Sequence, residues 1–208
     1  MRRALLVIVL AACQHTVKTP FPPGLEPLED NPVAEETSPY DETLVVASKD
    51  TDYIHVYARG YVLVPPAQYW GAVLVPPPYI ATCSTTSQTY DEANDPAYEY
   101  SLLIHYTYVD VLTVQWDDQW RFGVVEGSDA APTIAMAKHQ KTQGSSFIGL
   151  SEGTIEVLAT DDPDVTELSF VEHLNATSAS ADQVTKNIQH NYDALKALAH
   201  GQPVPACP

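Results

Sequence analysis

The chain has 208 residues, of which 45% are hydrophobic, and 27 acidic against 10 basic residues give it a formal net charge of −17 at pH 7. That hydrophobic fraction is ample for a folded domain, and the length suits one domain of ordinary size. Binding of phosphate requires clustered Lys and Arg, so a surface this acidic predicts no nucleic-acid partner.

The first twelve residues have the outline of a signal peptide. Arg2 and Arg3 precede the apolar run ALLVIVLAA at 4–12. At about 1.5 Å per residue this run is too short to cross a hydrocarbon core about 30 Å thick. We therefore expect its removal, which leaves 8 basic residues against 27 acidic ones, a net charge of −19.

The stretch Leu10-Ala11-Ala12-Cys13 resembles the lipobox of bacterial lipoproteins. The resemblance implies cleavage before Cys13 and attachment of diacylglycerol to its thiol, so that Cys13 anchors the mature protein in a membrane. Gln14 follows where an aspartate would resemble an inner-membrane retention signal, which favours the outer membrane of a bacterial cell envelope. The alternative is an ordinary secretory signal with an incidental cysteine.

Two cysteines remain once Cys13 carries lipid. In an oxidising compartment Cys83 and Cys207 are a candidate disulfide. Such a bridge would close a long loop and contribute about 2–4 kcal/mol to stability. The alternative is two free thiols, one buried and one in a frayed tail.

The segment 13–42 is predicted to be a lipidated, disordered tether. Between Gln14 and Glu42 it holds six prolines and seven acidic residues, a composition typical of a self-repelling linker. It would allow the domain to stand clear of the bilayer. We expect the folded domain over 43–201, followed by a tail over 202–208 that contains Cys207.

The domain opens with a strand and a short helical turn. Tyr53–Val64 is rich in β-branched and aromatic residues, which predicts a strand, and Pro66 suits the first turn of a helix. The sequence VLVPPAQY at 62–69 returns as VLVPPPY at 73–79, so two short strands would fit nearly as well. Residues 85–96 are polar and predict a loop.

A run of antiparallel strands follows. Tyr98–Val109 and Leu112–Val124 alternate apolar and polar residues, and Asp118 interrupts the apolar face of the second strand. This interruption predicts a bulge or turn at 117–118. Later strands are predicted at Thr133–Lys141, Phe147–Thr160 and Val165–Ala176, the last two forming a hairpin across the turn sequence DDPD at 161–164.

A long amphipathic helix is predicted near the end of the domain. Ser180 and Gln183 form a capping box, and Gly201 with Pro203 ends the helix. Apolar residues lie between them at helical spacing, namely Val184, Ile188, Tyr192, Leu195 and Leu198.

This order of elements predicts an α+β fold in which the long helix lies across a curved antiparallel sheet. The stretches YVLVPPAQYWGAVL (61–74) and GTIEVLATDDPDVTELSFVEHLNA (153–176), followed by the helix, resemble the START-like helix-grip superfamily of pollen allergens and polyketide cyclases. The resemblance extends over about 53–201 and includes a turn from Pro66 to Trp70. The alternative is a β-sandwich with an appended helix.

The resemblance implies a ligand cavity between the sheet and the helix. It nominates as ligand-binding candidates the aromatic residues Tyr100, Tyr106, Tyr108, Trp116, Trp120 and Tyr192. Their apolar area and polar tips suit an amphipathic guest, although the same side chains can simply fill the core. We therefore expect a non-catalytic, lipid-anchored protein that binds an apolar or amphipathic, lipid-like molecule.

Two other functions stay open. One is an interaction module that docks a partner protein or glycan through an exposed aromatic patch. The other is a cyclase-like or hydrolase-like enzyme, for which His105, His139 and His173 lie on predicted strands. Because HExxH, paired CxxC and GxSxG motifs are absent, the sequence predicts no metal ligands, no cofactor and no catalytic residues.

Overall fold

The computed structural model describes residues 16–75, 78–80, 83, 85–92, 95–110 and 112–207. The predicted signal peptide and Cys13 lie outside the described residues. The elements in chain order are β1 (Thr16–Lys18), β2 (Leu44–Asp50), β3 (Ile54–Val62), α1 (Pro66–Val73), β4 (Ser87–Glu92), β5 (Tyr100–Val109), β6 (Thr113–Ser128), β7 (Ala131–Ser145), β8 (Ile148–Ala159), β9 (Thr166–Ala176) and α2 (Ala181–Ala199). Within the described part of the chain, none of the helices has the length and apolar character needed to span a membrane.

The strands form one antiparallel sheet. Its order is β2-β3-β9-β8-β7-β6-β5-β4, and β1 pairs with the end of β7. The pairing of β6 with β7 shifts register between Asp117 and Asp118, which is the predicted bulge. A single sheet also rules out the β-sandwich alternative.

The main core lies between the inner face of the sheet and the two helices. Alternate residues of β3, such as Val56 and Ala58, face α2, whose side chains Ile188 and Tyr192 pack onto them. The helix begins as predicted, because the Ser180 hydroxyl accepts a hydrogen bond from the backbone N–H of Gln183. The apolar stripe of α2 therefore packs against the concave face of the sheet.

A glycine allows α2 to approach the sheet closely. A Cβ atom at Gly60 would lie 2.9 Å from Cε2 of Tyr192, closer than carbon atoms normally pack. The Tyr192 hydroxyl passes this point and donates a hydrogen bond of 2.7 Å to the carbonyl of Tyr61. The helix and β3 are thus joined by both packing and a buried hydrogen bond.

Two local expectations have clear outcomes. α1 begins at Pro66 as a helix, so the alternative of two short strands around the repeated VLVPP sequence is wrong. The predicted loop at 85–96 is also wrong over Ser87–Glu92, which forms β4 and pairs with β5. β4 is an edge strand whose side chains are mostly exposed, so it needs no apolar pattern to form.

The proline-rich segment packs against the outer face of the sheet, where its composition predicts a disordered tether. The side-chain amide of Asn31 donates hydrogen bonds to the carbonyl of Ala58 at 2.9 Å and to the Ser169 hydroxyl at 3.1 Å. Val33 is buried against Tyr57 and Val171. Over 16–42 the described chain is therefore a second layer of the domain.

The outward-facing side chains of β3 require this layer to cover them. All nine of its residues are buried, so the outward-facing ones need a covering as much as the inward-facing ones do. Arg59 shows how this is done: its Nε donates to the carbonyl of Val33 at 2.8 Å, and its Nη1 pairs with Glu167. The segment covers these side chains with backbone carbonyls and a few apolar contacts, which a count of residue types does not detect.

A disulfide joins Cys83 to Cys207, the pairing expected from the sequence. It connects the C-terminal tail to the chain between α1 and β4. His190 of α2 lies beside it, with Nε2 at 3.9 Å from Cys207 Sγ. The tail is therefore held against α2 and is not frayed.

Candidate ligand-binding site

A small apolar space lies between the inner face of the sheet, α1, α2 and the segment 78–80. The volume open to the centre of a water molecule is about 20 Å³, which is room for about one water. Aromatic and aliphatic side chains fill the rest of the region. Among those that line the space are Tyr69, Trp70, Tyr79, Trp120, Phe122 and Leu195.

Local structure explains how α1 forms one wall of this space. Pro66 occupies the start of the helix, where its missing N–H is no loss, and Tyr69, Trp70 and Val73 are then buried on one side of it. The indole of Trp70 donates to Glu99 Oε2 at 3.1 Å. Gln68 donates to the carbonyl of Ala199 at 3.0 Å. These bonds hold α1 against the end of α2 and the start of β5.

Tyr69 brings an unpaired polar atom to this site. Its side chain is 0% exposed, and its hydroxyl has no hydrogen-bond partner among the residues that the structure describes. Burial raises the pKa of this hydroxyl above its usual value, so it stays protonated and able to donate. Buried polar groups are ordinarily paired, and Tyr69 lines the space, so its hydroxyl is a candidate donor to a polar atom of a guest.

The six aromatic residues nominated from the sequence have different surroundings. Trp120 lines the space. Tyr106 is buried and stacks on Trp116, with ring centroids 5.0 Å apart. Tyr192 lies on α2 and packs against β3. Tyr100 packs edge-on against Phe122, and Tyr108 is 41% exposed at the end of β5. The structure thus brings one of the six to the space and does not group the others around it.

The lining residues that the sequence analysis did not nominate include three on α1, Tyr69, Trp70 and Val73. Tyr69 and Trp70 lie together on the buried side of this helix. Their position opposite Trp120 depends on how α1 packs onto the sheet. The signal available in the sequence was the Pro66-to-Trp70 turn itself.

His139 is held in a buried charged cluster beside Trp120. Its Nε2 lies 2.9 Å from Glu172 Oε1, and its Nδ1 lies 3.7 Å from Asp118 Oδ2, an ion-pair contact too long for a hydrogen bond. The imidazole stacks on the Trp120 ring at 4.2 Å. A Cβ atom at Gly153 would collide with His139 and Glu172, so the glycine keeps room for this pair.

The charge state of His139 limits what chemistry the cluster can perform. Burial disfavours the imidazolium, but Glu172 and Asp118 outweigh this and raise the pKa of His139 to about 10. The ring is therefore protonated at neutral pH and has no lone pair with which to remove a proton from a substrate. The cluster is suited to holding strands β6, β7 and β9 together by charge.

His105 and His173, the other two histidines considered for catalysis, lie on the outer face. His105 Nδ1 is 2.7 Å from Asp117 Oδ1 on a partly exposed surface. His173 faces Glu29 of the N-terminal segment and Glu152 of β8. Neither histidine lines the apolar space, so His105, His139 and His173 do not converge on one pocket.

Two solved structures share this architecture. Human StAR-related lipid transfer protein 5 superposes with a TM-score of 0.53 at 9% sequence identity, over 80% of this chain and 88% of that one. The lipid transfer and protein localization domain of human StarD13 (DLC2) gives 0.50 at 10% identity, over 78% and 85%. This is the helix-grip fold. The chain matches no family model and no curated protein sequence.

Proposed function

We propose that this helix-grip protein is a membrane-anchored, non-catalytic binder of a small apolar or amphipathic molecule. The observation that carries the proposal is the apolar space between α1, α2 and the sheet, which Tyr69 helps to line. The Tyr69 hydroxyl is buried with no partner among the described residues. An apolar site with few polar groups is typical of a small-molecule site. The names of the two similar human proteins refer to lipid transfer, which supports a lipid-like guest.

A guest larger than water requires this space to open. The segment 78–80 forms part of the wall and belongs to neither a helix nor a strand. It lacks the regular backbone hydrogen bonds of those elements and is held by the bond that Gln88 Nε2 donates to the carbonyl of Ile80 at 3.1 Å. Elements with few such bonds open at the lowest free-energy cost. In the proposed mechanism the segment 78–80 moves outward, the acyl or ring system enters beside Trp120, and the Tyr69 hydroxyl donates to an oxygen of the guest.

The proposed anchor would keep the domain close to a membrane of the bacterial envelope. Lipidation of Cys13 would leave Gln14 and His15 between the anchor and β1, which pairs with β7. Three residue steps reach at most about 10 Å. The domain would then lie at the membrane surface, where an amphipathic guest is available, and would not extend from it on a long tether.

Tyr69→Phe is expected to stabilise the empty protein and to weaken its binding of the guest. Removing a buried hydroxyl without a partner relieves a penalty of about 1–3 kcal/mol, so the free energy of unfolding rises. Loss of the donated hydrogen bond lowers affinity for an amphipathic guest about 5-fold to 10-fold. Urea unfolding measures the first effect, and native mass spectrometry of the mature protein with a long-chain fatty acid measures the second.

Tyr192→Phe is the matched control, since it removes an equally buried hydroxyl that does have a partner, the carbonyl of Tyr61. It should lower the free energy of unfolding and leave fatty-acid binding unchanged. The proposal would be contradicted if no fatty acid binds, or if Tyr69→Phe reduces stability as Tyr192→Phe does.

A further inference from the structure

Three potential metal ligands meet on the outer face of the sheet, away from the apolar space. His55 of β3 and His173 of β9 are directly opposite each other in the strand pairing, and Glu29 reaches them from the N-terminal segment. His55 Nδ1 lies 3.0 Å and His173 Nε2 lies 2.7 Å from Glu29 Oε1. The three ligand atoms lie within 4.8 Å of one another.

We propose that Glu29, His55 and His173 bind a divalent transition-metal ion, for which Zn²⁺ fits the ligand chemistry best. Imidazole nitrogen and carboxylate oxygen bind Zn²⁺ at about 2.0–2.2 Å, and three protein ligands leave a fourth position for water. Tetrahedral ligands at that distance are about 3.3 Å apart. The two distances from Glu29 Oε1 to the histidine nitrogens, 3.0 and 2.7 Å, therefore need to lengthen by only a few tenths of an ångström to admit the ion.

The surroundings hold the ligands in this orientation without an ion. His173 Nδ1 lies 3.0 Å from Glu152 Oε1, and a carboxylate on the second nitrogen of a metal-binding histidine fixes its ring and its tautomer. The Tyr57 hydroxyl donates to Glu29 Oε1 at 2.7 Å. The ring of Tyr53 stacks on His55 at 4.3 Å. Each of these contacts restricts the ligand rotamers before metal enters.

Burial and access also suit an exchangeable ion. His55 and His173 are 9% and 6% exposed, so their binding nitrogens are shielded from water, whereas the side chain of Glu29 is 39% exposed and leaves a path from solvent. A bound ion would join the N-terminal segment to β3 and β9. Metal binding would therefore stabilise the packed position of that segment.

Titration of the mature protein with Co²⁺, with its disulfide kept oxidised, tests the site. We expect one Co²⁺ per chain with the intense visible absorption of four-coordinate cobalt, and loss of this absorption when Zn²⁺ is added. His55→Gln and His173→Gln should abolish it. Glu152→Gln should weaken Co²⁺ binding about 10-fold to 100-fold, the usual effect of removing a carboxylate that orients a ligand.

His105→Gln is the matched control, because His105 also faces two carboxylates, Asp117 at 2.7 Å and Asp91 at 3.2 Å, but within the described residues no second histidine joins it. His190→Gln controls for the histidine beside the Cys83–Cys207 disulfide. Both should leave the titration unchanged. Imidazole nitrogen NMR of the unmodified protein gives the same answer without a variant, since Zn²⁺ should shift the signals of His55 and His173 alone.

The proposal is overturned if Co²⁺ stays six-coordinate, if His173→Gln titrates like the native protein, or if the Zn²⁺-dependent signals belong to other histidines. In each of these cases Glu29, His55 and His173 form a hydrogen-bonded cluster that binds no metal ion.

Discussion

His139→Gln is expected to lower the free energy of unfolding by about 3–5 kcal/mol at pH 7, the usual cost of removing one partner of a buried charge pair. The substitution leaves Asp118 and Glu172 without the imidazolium that lies between them. The side chain of Asp118 is almost completely buried, so its charge gains little from water. Urea unfolding of the native and variant proteins measures the difference.

The pH dependence of stability provides the second arm of this test. The pKa of His139 is raised from 6.5 to about 10 on folding, so its contribution is complete below pH 6.5 and is lost as the pH rises towards 10. The difference in unfolding free energy between the native protein and His139→Gln should shrink over that range. His105→Gln, which changes a partly exposed histidine, should cost much less.

A triple variant that carries His139→Leu, Asp118→Asn and Glu172→Gln should regain part of the stability that His139→Gln loses. Replacing the three charged groups together leaves none of them unpaired. A cost below about 1 kcal/mol for His139→Gln would contradict the buried ion-pair cluster.

Replacing Asn31 and Val33 together by alanine is expected to lower the free energy of unfolding by about 2–4 kcal/mol. Asn31 loses its hydrogen bonds to Ala58 and Ser169, and each unpaired buried group costs about 1–3 kcal/mol. Val33 loses apolar contact with Tyr57 and Val171, at about 0.8 kcal/mol per buried methylene. Denaturant unfolding at constant pH measures the sum.

The matched control is Thr37→Ala with Val45→Ala, two changes at exposed positions. We expect each of these two substitutions to change the free energy of unfolding by less than about 0.5 kcal/mol. If the Asn31 and Val33 substitutions are equally silent, the segment behaves in solution as the disordered tether that its composition predicts.

The fold could be predicted wherever a local pattern determines the structure. Alternation in β5 and β6, the interruption at Asp118, the turn at 161–164 and the Ser180 cap each act over a few residues, and each appears in the structure at the predicted place. The N-terminal layer could not be predicted this way. Asn31 bonds to groups 27 and 138 residues away, and no local pattern encodes such contacts.

The apolar space and the proposed metal site also depend on contacts between residues that are far apart in the sequence. Trp120 was nominated because the helix-grip resemblance implies a cavity on the inner face of the sheet, where the alternation of β6 places it. The approach of α1 to it, and the unpaired hydroxyl of Tyr69, follow only from packing. His55 and His173 meet because of the register between β3 and β9, strands more than one hundred residues apart, and Glu29 joins them from a segment that composition assigns to a linker.

Binding of a guest between the helices and the sheet is tested most directly by photo-crosslinking. The mature protein in a membrane is irradiated with a lipid that carries a diazirine in its acyl chain, and the labelled residues are identified by mass spectrometry. We predict labels on Tyr69, Trp70 and Trp120, with reduced labelling when an unmodified fatty acid competes. Labels confined to the exposed Tyr108, Val109 and Leu112, or no specific labels at all, would contradict an internal site and would favour a docking surface.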